Sequence, residues 1–194
     1  NLVSGDSNNL PDIFVHDRET GTTSHVSADS ISIAGSNFNS PSMSSDGHFV
    51  AFGSDASNLV SGDTNGQTDV FVKDLQTSTI SRVSVSSSGK QGNGDSYYAR
   101  ISGNGRFVAF FSAASNLVSG DTNDAWDIFV HDRQTGTTSR VSVDSSGNEG
   151  NNFSSLFSIS NDGRFVAFAS SASNLVSGDT SFISDIFVHD RQTG

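Results

Sequence analysis

Asn116-Leu-Val-Ser-Gly-Asp-Thr-Asn-Asp-Ala-Trp-Asp-Ile-Phe-Val-His-Asp132 decides how this chain is read, because close versions of it occur four times. The other copies begin at Asn1, Asn58 and Asn174, and the shared aspartates Asp6, Asp63, Asp121 and Asp179 stand 57, 58 and 58 residues apart. A fixed period of this length marks a tandem array of one supersecondary unit. All 194 residues belong to that period.

Each repeated stretch ends in a hairpin pattern. In the first copy Asp12-Ile-Phe-Val-His-Asp17 is a short apolar run, Arg18-Glu-Thr-Gly21 carries turn residues, and Thr22-Thr-Ser-His-Val-Ser27 alternates as a second strand would. Ahead of the stretch lies another hairpin: Ser42-Met-Ser-Ser45, the turn Asp46-Gly47, and His48-Phe-Val-Ala-Phe52. Both turn positions accept positive φ, which a two-residue hairpin demands. The trio recurs at Arg100-Ile-Ser, Asn104-Gly105 and Arg106-Phe-Val-Ala-Phe110, and again at Ser158-Ile-Ser, Asp162-Gly163 and Arg164-Phe-Val-Ala-Phe168. Four antiparallel strands per period follow, with the Asn-Leu-Val-Ser-Gly-Asp loop joining the second to the third.

Phe107-Val-Ala-Phe110 and Ile128-Phe-Val130 are apolar at consecutive positions, so both faces of these sheets must be covered. Four-stranded sheets buried on both faces and repeated at a fixed interval predict an all-β fold of stacked β-propeller blades. The rungs of a β-helix are shorter and lack such hairpin turns, and about 58 residues is small for an independent sandwich domain.

The run Ile159-Ser-Asn-Asp-Gly-Arg-Phe-Val-Ala-Phe-Ala-Ser170, followed by Asp185-Ile-Phe-Val-His-Asp190, resembles the TolB-like, WD-like propeller repeat. The resemblance covers nearly the whole chain in register and implies the propeller fold. It implies less about function, because that family includes periplasmic partner-binding proteins and accessory domains of peptidases. The lengthened loop between the second and third strands resembles a variant found in large secreted bacterial proteins. Phased this way, residues 1–194 form one open array. Residues 1–40 hold the end of one blade and a loop, 41–98 and 99–157 are two complete blades, and 158–194 begin a further one. Closed propellers use about four to eight blades.

The chain carries 10 Lys and Arg against 21 Asp and Glu, a net charge of -11, and only Glu19 and Glu149 of the acids are glutamate. This balance argues against nucleic acid and anionic membranes as partners. No run of 18 apolar residues is present, so no membrane insertion is expected. The absence of cysteine excludes disulfides and thiolate metal sites.

Asp favours turns and ligates hard cations, so the aspartate excess points to turn chemistry or to Ca²⁺. Asp63, Asn65 and Asp69 place oxygens at positions 1, 3 and 7 of a tight loop, as do Asp6, Asn8 and Asp12, and Asp121, Asn123 and Asp127; the fourth copy offers Asp179 and Asp185 around Ser181. Alternate oxygens resemble the first half of an EF-hand loop and name Ca²⁺ as the candidate cofactor, although the bidentate glutamate of position 12 is missing. The same residues can instead close their own turns through Asx hydrogen bonds. His16, His131 and His189 share one position with Lys73, so they are expected as outward-facing side chains and not as catalytic groups. His25, Arg82 and Arg140, and likewise His48, Arg106 and Arg164, are expected as interchangeable basic residues on a solvent face, paired with nearby Asp.

The Gly-rich stretch Ser88–Gly94 is expected as a flexible loop, and with its counterparts Ser145–Asn152 and Ser30–Asn39 it varies most among the copies. Nearby Tyr97, Tyr98, Phe153 and Phe157 are therefore candidate contacts if one rim binds a ligand, or inter-blade packing if it does not; Trp126 stands alone at its position. The chain is expected to be a non-catalytic scaffold for protein or glycan binding, or for end-to-end assembly of its own copies. Its expected location is extracellular, surface-exposed or periplasmic in a bacterium. The alternative is an accessory propeller of a secreted hydrolase whose catalytic domain lies elsewhere.

Overall fold

The structure, a computed structural model, describes residues 2–3, 12–27, 41–180 and 183–194. These residues form thirteen strands and no helix. Strands β1 (Phe14–His16) and β2 (Thr23–His25) make a two-stranded sheet, and β3 (Ser42–Met43), β4 (Phe49–Ser54), β5 (Asp69–Asp74) and β6 (Ile80–Arg82) the first four-stranded sheet. The second comprises β7 (Ser96–Ile101), β8 (Phe107–Ser112), β9 (Asp127–Asp132) and β10 (Thr137–Arg140). Strands β11 (Ser154–Ile159), β12 (Phe165–Ser170) and β13 (Asp185–Asp190) form a three-stranded sheet. Every pairing is between sequence neighbours and antiparallel. The architecture is an open stack of two complete and two partial blades.

Period-2 alternation decides which neighbour each apolar side chain meets. From β4 and β5, Val50, Phe52 and Phe71 pack towards Ile13 and Val26 of the preceding sheet, while Ala51, Val70 and Val72 pack towards Val108, Phe110 and Phe129 of the next. From β8 and β9, Ala109, Ile128 and Val130 pack in turn on Val166 and Phe168. Phe52 opposes Phe71, Phe110 opposes Phe129 and Phe168 opposes Phe187, with ring centroids 5.9, 5.9 and 5.8 Å apart. Each blade thus lays a pair of rings on the small aliphatic face of the blade before it.

The hairpin turns interlock the blades. Gly105 has φ +71°, and a Cβ there would stand 2.4 Å from Phe49 Cδ2; Gly163 has φ +77°, and its Cβ would stand 2.1 Å from Phe107 Cδ2. The bare backbone of each turn lies against the phenylalanine that opens β4 or β8. Arg133 and Arg191 lie over the same two rings, 4.1 and 4.3 Å from their centroids, a cation–π contact. The first strands neighbour one another in turn, β3 beside β7 and β7 beside β11. The Ser45 hydroxyl of the first complete blade donates to Asn161 Oδ1, two blades away, at 2.9 Å.

Candidate functional site

The acidic loops are assembled around arginine. In the second loop Arg82 Nη1 stands 3.1 Å from Asp63 Oδ1 and 3.1 Å from Asp69 Oδ2. In the third, Arg140 Nη1 stands 3.3 Å from Asp121 Oδ1, 3.3 Å from Asp127 Oδ2 and 2.8 Å from Glu149 Oε2, and its Nη2 donates to Gly120 O. The repeat pattern predicts these guanidinium groups on a solvent face; their side chains are instead only 11% and 7% exposed. The pairing with aspartate is as expected, but the long side chain runs inward from β6 or β10 to reach the loop.

Asn65 and Asn123 are oriented by two acceptors each. Asn65 Nδ2 donates to Asp69 Oδ2 and Gly92 O, both at 3.0 Å, and Asn123 Nδ2 donates to Asp127 Oδ2 at 3.0 Å and Gly150 O at 2.8 Å. Their carbonyl oxygens accept from Gln67 N and Ala125 N, closing Asx turns. Ser84 and Ser142 each accept from the backbone of the third strand of their own blade, at Val70 N and Ile128 N, and donate to Asp69 Oδ1 and Asp127 Oδ1 at 2.5 Å. Burial raises the carboxyl pKa of Asp69 and Asp127, with the serine, asparagine and arginine contacts opposing it, and pushes Asp121 up to about 6.

In the first loop Asp12 meets His25 Nε2 at 2.8 Å and the Ser27 hydroxyl at 2.9 Å, the same scheme with histidine in the arginine's place. Asp6 and Asn8, like Ser181 of the fourth loop, lie outside the described residues. Asp179 is half-buried and Asp185 exposed.

The leading Asn of the repeated stretch also has an assigned task. Asn116 Oδ1 accepts from Asn93 N and its Nδ2 donates to Gln91 O; Asn174 does the same with Asn151 N and Glu149 O. Two of the Gly-rich segments, Ser88–Gly94 and Ser145–Asn152, are thus hydrogen-bonded to the loops, while Ser30–Asn39 lies outside the described residues. Among the histidines, His131 departs from the outward-facing expectation: it is buried, its Nδ1 is 2.9 Å from Thr138 Oγ1, and burial lowers its pKa.

The surface on which the copies disagree forms a cavity. Strands β7 and β11 each carry a bulge, between Tyr97 and Arg100 and between Ser155 and Ser158. At the bulges Tyr98 has φ 56° and Leu156 φ 40°, the left-handed region that side-chain-bearing residues rarely enter. The two are counterparts 58 residues apart. Between them opens a cavity of about 410 Å³ lined by Tyr98, Arg100, Phe111, Phe153, Ser155, Leu156 and Phe157. Phe111 forms its floor, stacked 4.4 Å from Trp126, which stacks in turn 5.6 Å from Tyr97. Phe153 meets Phe111 edge-on at 5.5 Å, and Leu156 is 82% exposed at the mouth.

Of the expected rim aromatics, Tyr98, Phe153 and Phe157 line the cavity, while Tyr97 and Trp126 support it from below. Phe111, Leu156 and Arg100 join the lining without being expected there. Phe111 carries a signal of its own: its counterparts are Gly53 and Ala169, so a large ring there departs from the repeat.

Among the described residues no helix is long and apolar enough to cross a membrane. No protein-family model and no curated protein matches the chain. Among solved structures it is similar to TolB from Acinetobacter baumannii, at 22% identity and TM-score 0.56 over 98% of this chain and 38% of that one. It is similar to putative TolB from Agrobacterium tumefaciens at 14% identity and TM-score 0.54, over 96% of this chain and 55% of that one. It also matches the tricorn protease, at 16% identity and TM-score 0.56, over 94% of this chain and 16% of that one. The chain thus spans little more than half of the longest-covered of the three. With its four-stranded blades, its ring-on-aliphatic stacking and these neighbours, the chain has the fold of an open TolB-like β-propeller.

Proposed function

We propose that the chain is a non-catalytic recognition scaffold that receives a bulky apolar side chain of a protein partner in the cavity between β7 and β11. The observation that carries this reading is the pair of left-handed residues, Tyr98 and Leu156, at matching bulges on either side of that cavity. Strain of this kind persists where the surroundings over-determine it, and it clusters at ligand sites. The lining favours a protein over a glycan partner, since five of its seven residues are aromatic or aliphatic and few groups can serve sugar hydroxyls. An exported location, periplasmic or extracellular, goes with this reading. Peptides selected from a random displayed library on the wild-type chain should carry a bulky apolar residue. They should lose about tenfold or more in affinity with Phe153→Ala, as truncation of an interface anchor does. Selected peptides that bind Phe153→Ala as tightly as wild type would refute the assignment.

A second reading, assembly by blade stacking, is favoured by one surface. Ile186 and Val188 on β13 are 73% and 66% exposed, whereas their counterparts Ile128 and Val130 are wholly buried beneath the next blade. Phe165 at the head of β12 is exposed as well, while Phe107 lies beneath Gly163 and Arg191. This face matches the surfaces that bind blade to blade elsewhere in the stack. The alternative of an accessory propeller to a hydrolase is supported by the likeness to the tricorn protease; a peptidase domain in the same gene would decide for it.

A further inference from the structure

The acidic loops have the spacing of a half calcium loop, and their chemistry can be followed atom by atom. Of the three oxygens that positions 1, 3 and 7 would bring to a cation, the Asn oxygen is turned away in both described loops. Asn65 and Asn123 present Nδ2 to the carboxylate, and a second acceptor, Gly92 O or Gly150 O, holds that orientation. The remaining carboxylates, Asp63 with Asp69 and Asp121 with Asp127, converge on one guanidinium nitrogen. The third loop adds Glu149, which receives Arg140 Nη1 together with the Thr122 amide and hydroxyl. Among the described residues, no three Asp, Glu or His side chains are grouped as a metal ion would require.

We infer that the resident cation of these loops is the arginine itself, so that Arg82 and Arg140 occupy the place a calcium ion would take and the array keeps its fold without metal. The arrangement follows from connectivity. The guanidinium comes from the fourth strand, the carboxylates from the loop and the head of the third, and Glu149 from the segment after the fourth strand. One side chain therefore ties three parts of a blade together, as a metal ion does in a calcium-stapled loop. A guanidinium stays protonated throughout the accessible pH range and its long stem reaches the loop from the fourth strand, so the carboxylates always face a cation.

The test is thermal melting of the 194-residue chain in chelator and in millimolar Ca²⁺, for wild type, Arg140→Ala and Arg82→Ala. Wild type should melt at the same temperature in both buffers. Arg140→Ala should melt roughly 10 °C lower in chelator, because it strands buried carboxylates. It should recover several degrees in Ca²⁺, since removing the guanidinium frees Asp121, Asp127 and Glu149 for a divalent ion. If Arg140→Ala fails to fold, Arg82→Ala reads the equivalent position with one carboxylate fewer around it. A wild-type melting temperature that rises with Ca²⁺ would overturn the inference, as would arginine variants that melt like wild type.

Discussion

At the scale of single residues, the repeated and the unrepeated positions do different work. Asp69, Asp127, Ser84, Ser142, Asn65 and Asn123 form the same hydrogen-bonded set in two successive blades, and Asp12 with Ser27 forms part of it in a third. Such residues hold the blade together. Tyr98 and Leu156 occupy one repeat position with different side chains, Phe111 has no aromatic counterpart, and the three gather with Phe153 at one cavity. Leu156 is the clearest case, because it sits at φ 40°, is 82% exposed and gains little from burial. Leu156→Gly should therefore relieve strain and raise stability by about 1 kcal/mol, while weakening the peptides selected on the wild type. Denaturant unfolding alongside a binding titration checks both halves; a destabilised variant would mean that Leu156 serves the fold.

The buried arginines show where single-residue legibility stops. Alternation along a strand tells which face a side chain occupies, and the fourth strand lies at a sheet edge, so Arg82 and Arg140 read as solvated. Whether a long stem turns inward across a neighbouring loop depends on contacts 13 to 19 residues away in sequence. The left-handed backbone at Tyr98 and Leu156 is equally hidden, since neither is a residue type that signals positive φ.

At the scale of elements, the hairpin turn between the first two strands is both a turn and a contact. Its Asp-Gly or Asn-Gly sequence makes the hairpin legible, but not that the glycine meets a ring of the preceding blade. Comparison of two glycines separates the roles. Gly136 has φ +74° with nothing near its missing Cβ, whereas Gly163 has φ +77° with Phe107 Cδ2 2.1 Å from it. Gly136→Ala should cost about 1–2 kcal/mol for the left-handed backbone alone. Gly163→Ala should cost about 1–3 kcal/mol more, because the added methyl overpacks the inter-blade contact. Equal losses in urea unfolding would show that the turn does not interlock the blades.

At the scale of the whole molecule, the blade count and the four-strand unit are legible because the 58-residue period and the Phe-Val-Ala-Phe runs repeat in register. Stacking follows from the same pattern: successive apolar residues serve two neighbours, so a blade with a neighbour on one side leaves half its pattern exposed. Ile186 and Val188 are that half. On the stacking reading this patch is an association surface, and a head-to-tail contact between copies leads to rings or filaments. Light scattering on the 194-residue chain should show mass rising with concentration, and Ile186→Asp should hold it at monomer mass. A wild-type chain that stays monomeric at every concentration would remove stacking between copies.

On the proposed function, the repeated residues build the blades and the positions that break the repeat do the binding. Backbone amide chemical-shift mapping with a selected peptide puts this division of labour to the test. Shifts should concentrate at residues 97–100, 111 and 153–157, with little change at residues 63–69 and 121–127. Shifts centred on those acidic loops, with the cavity unmoved, would overturn it.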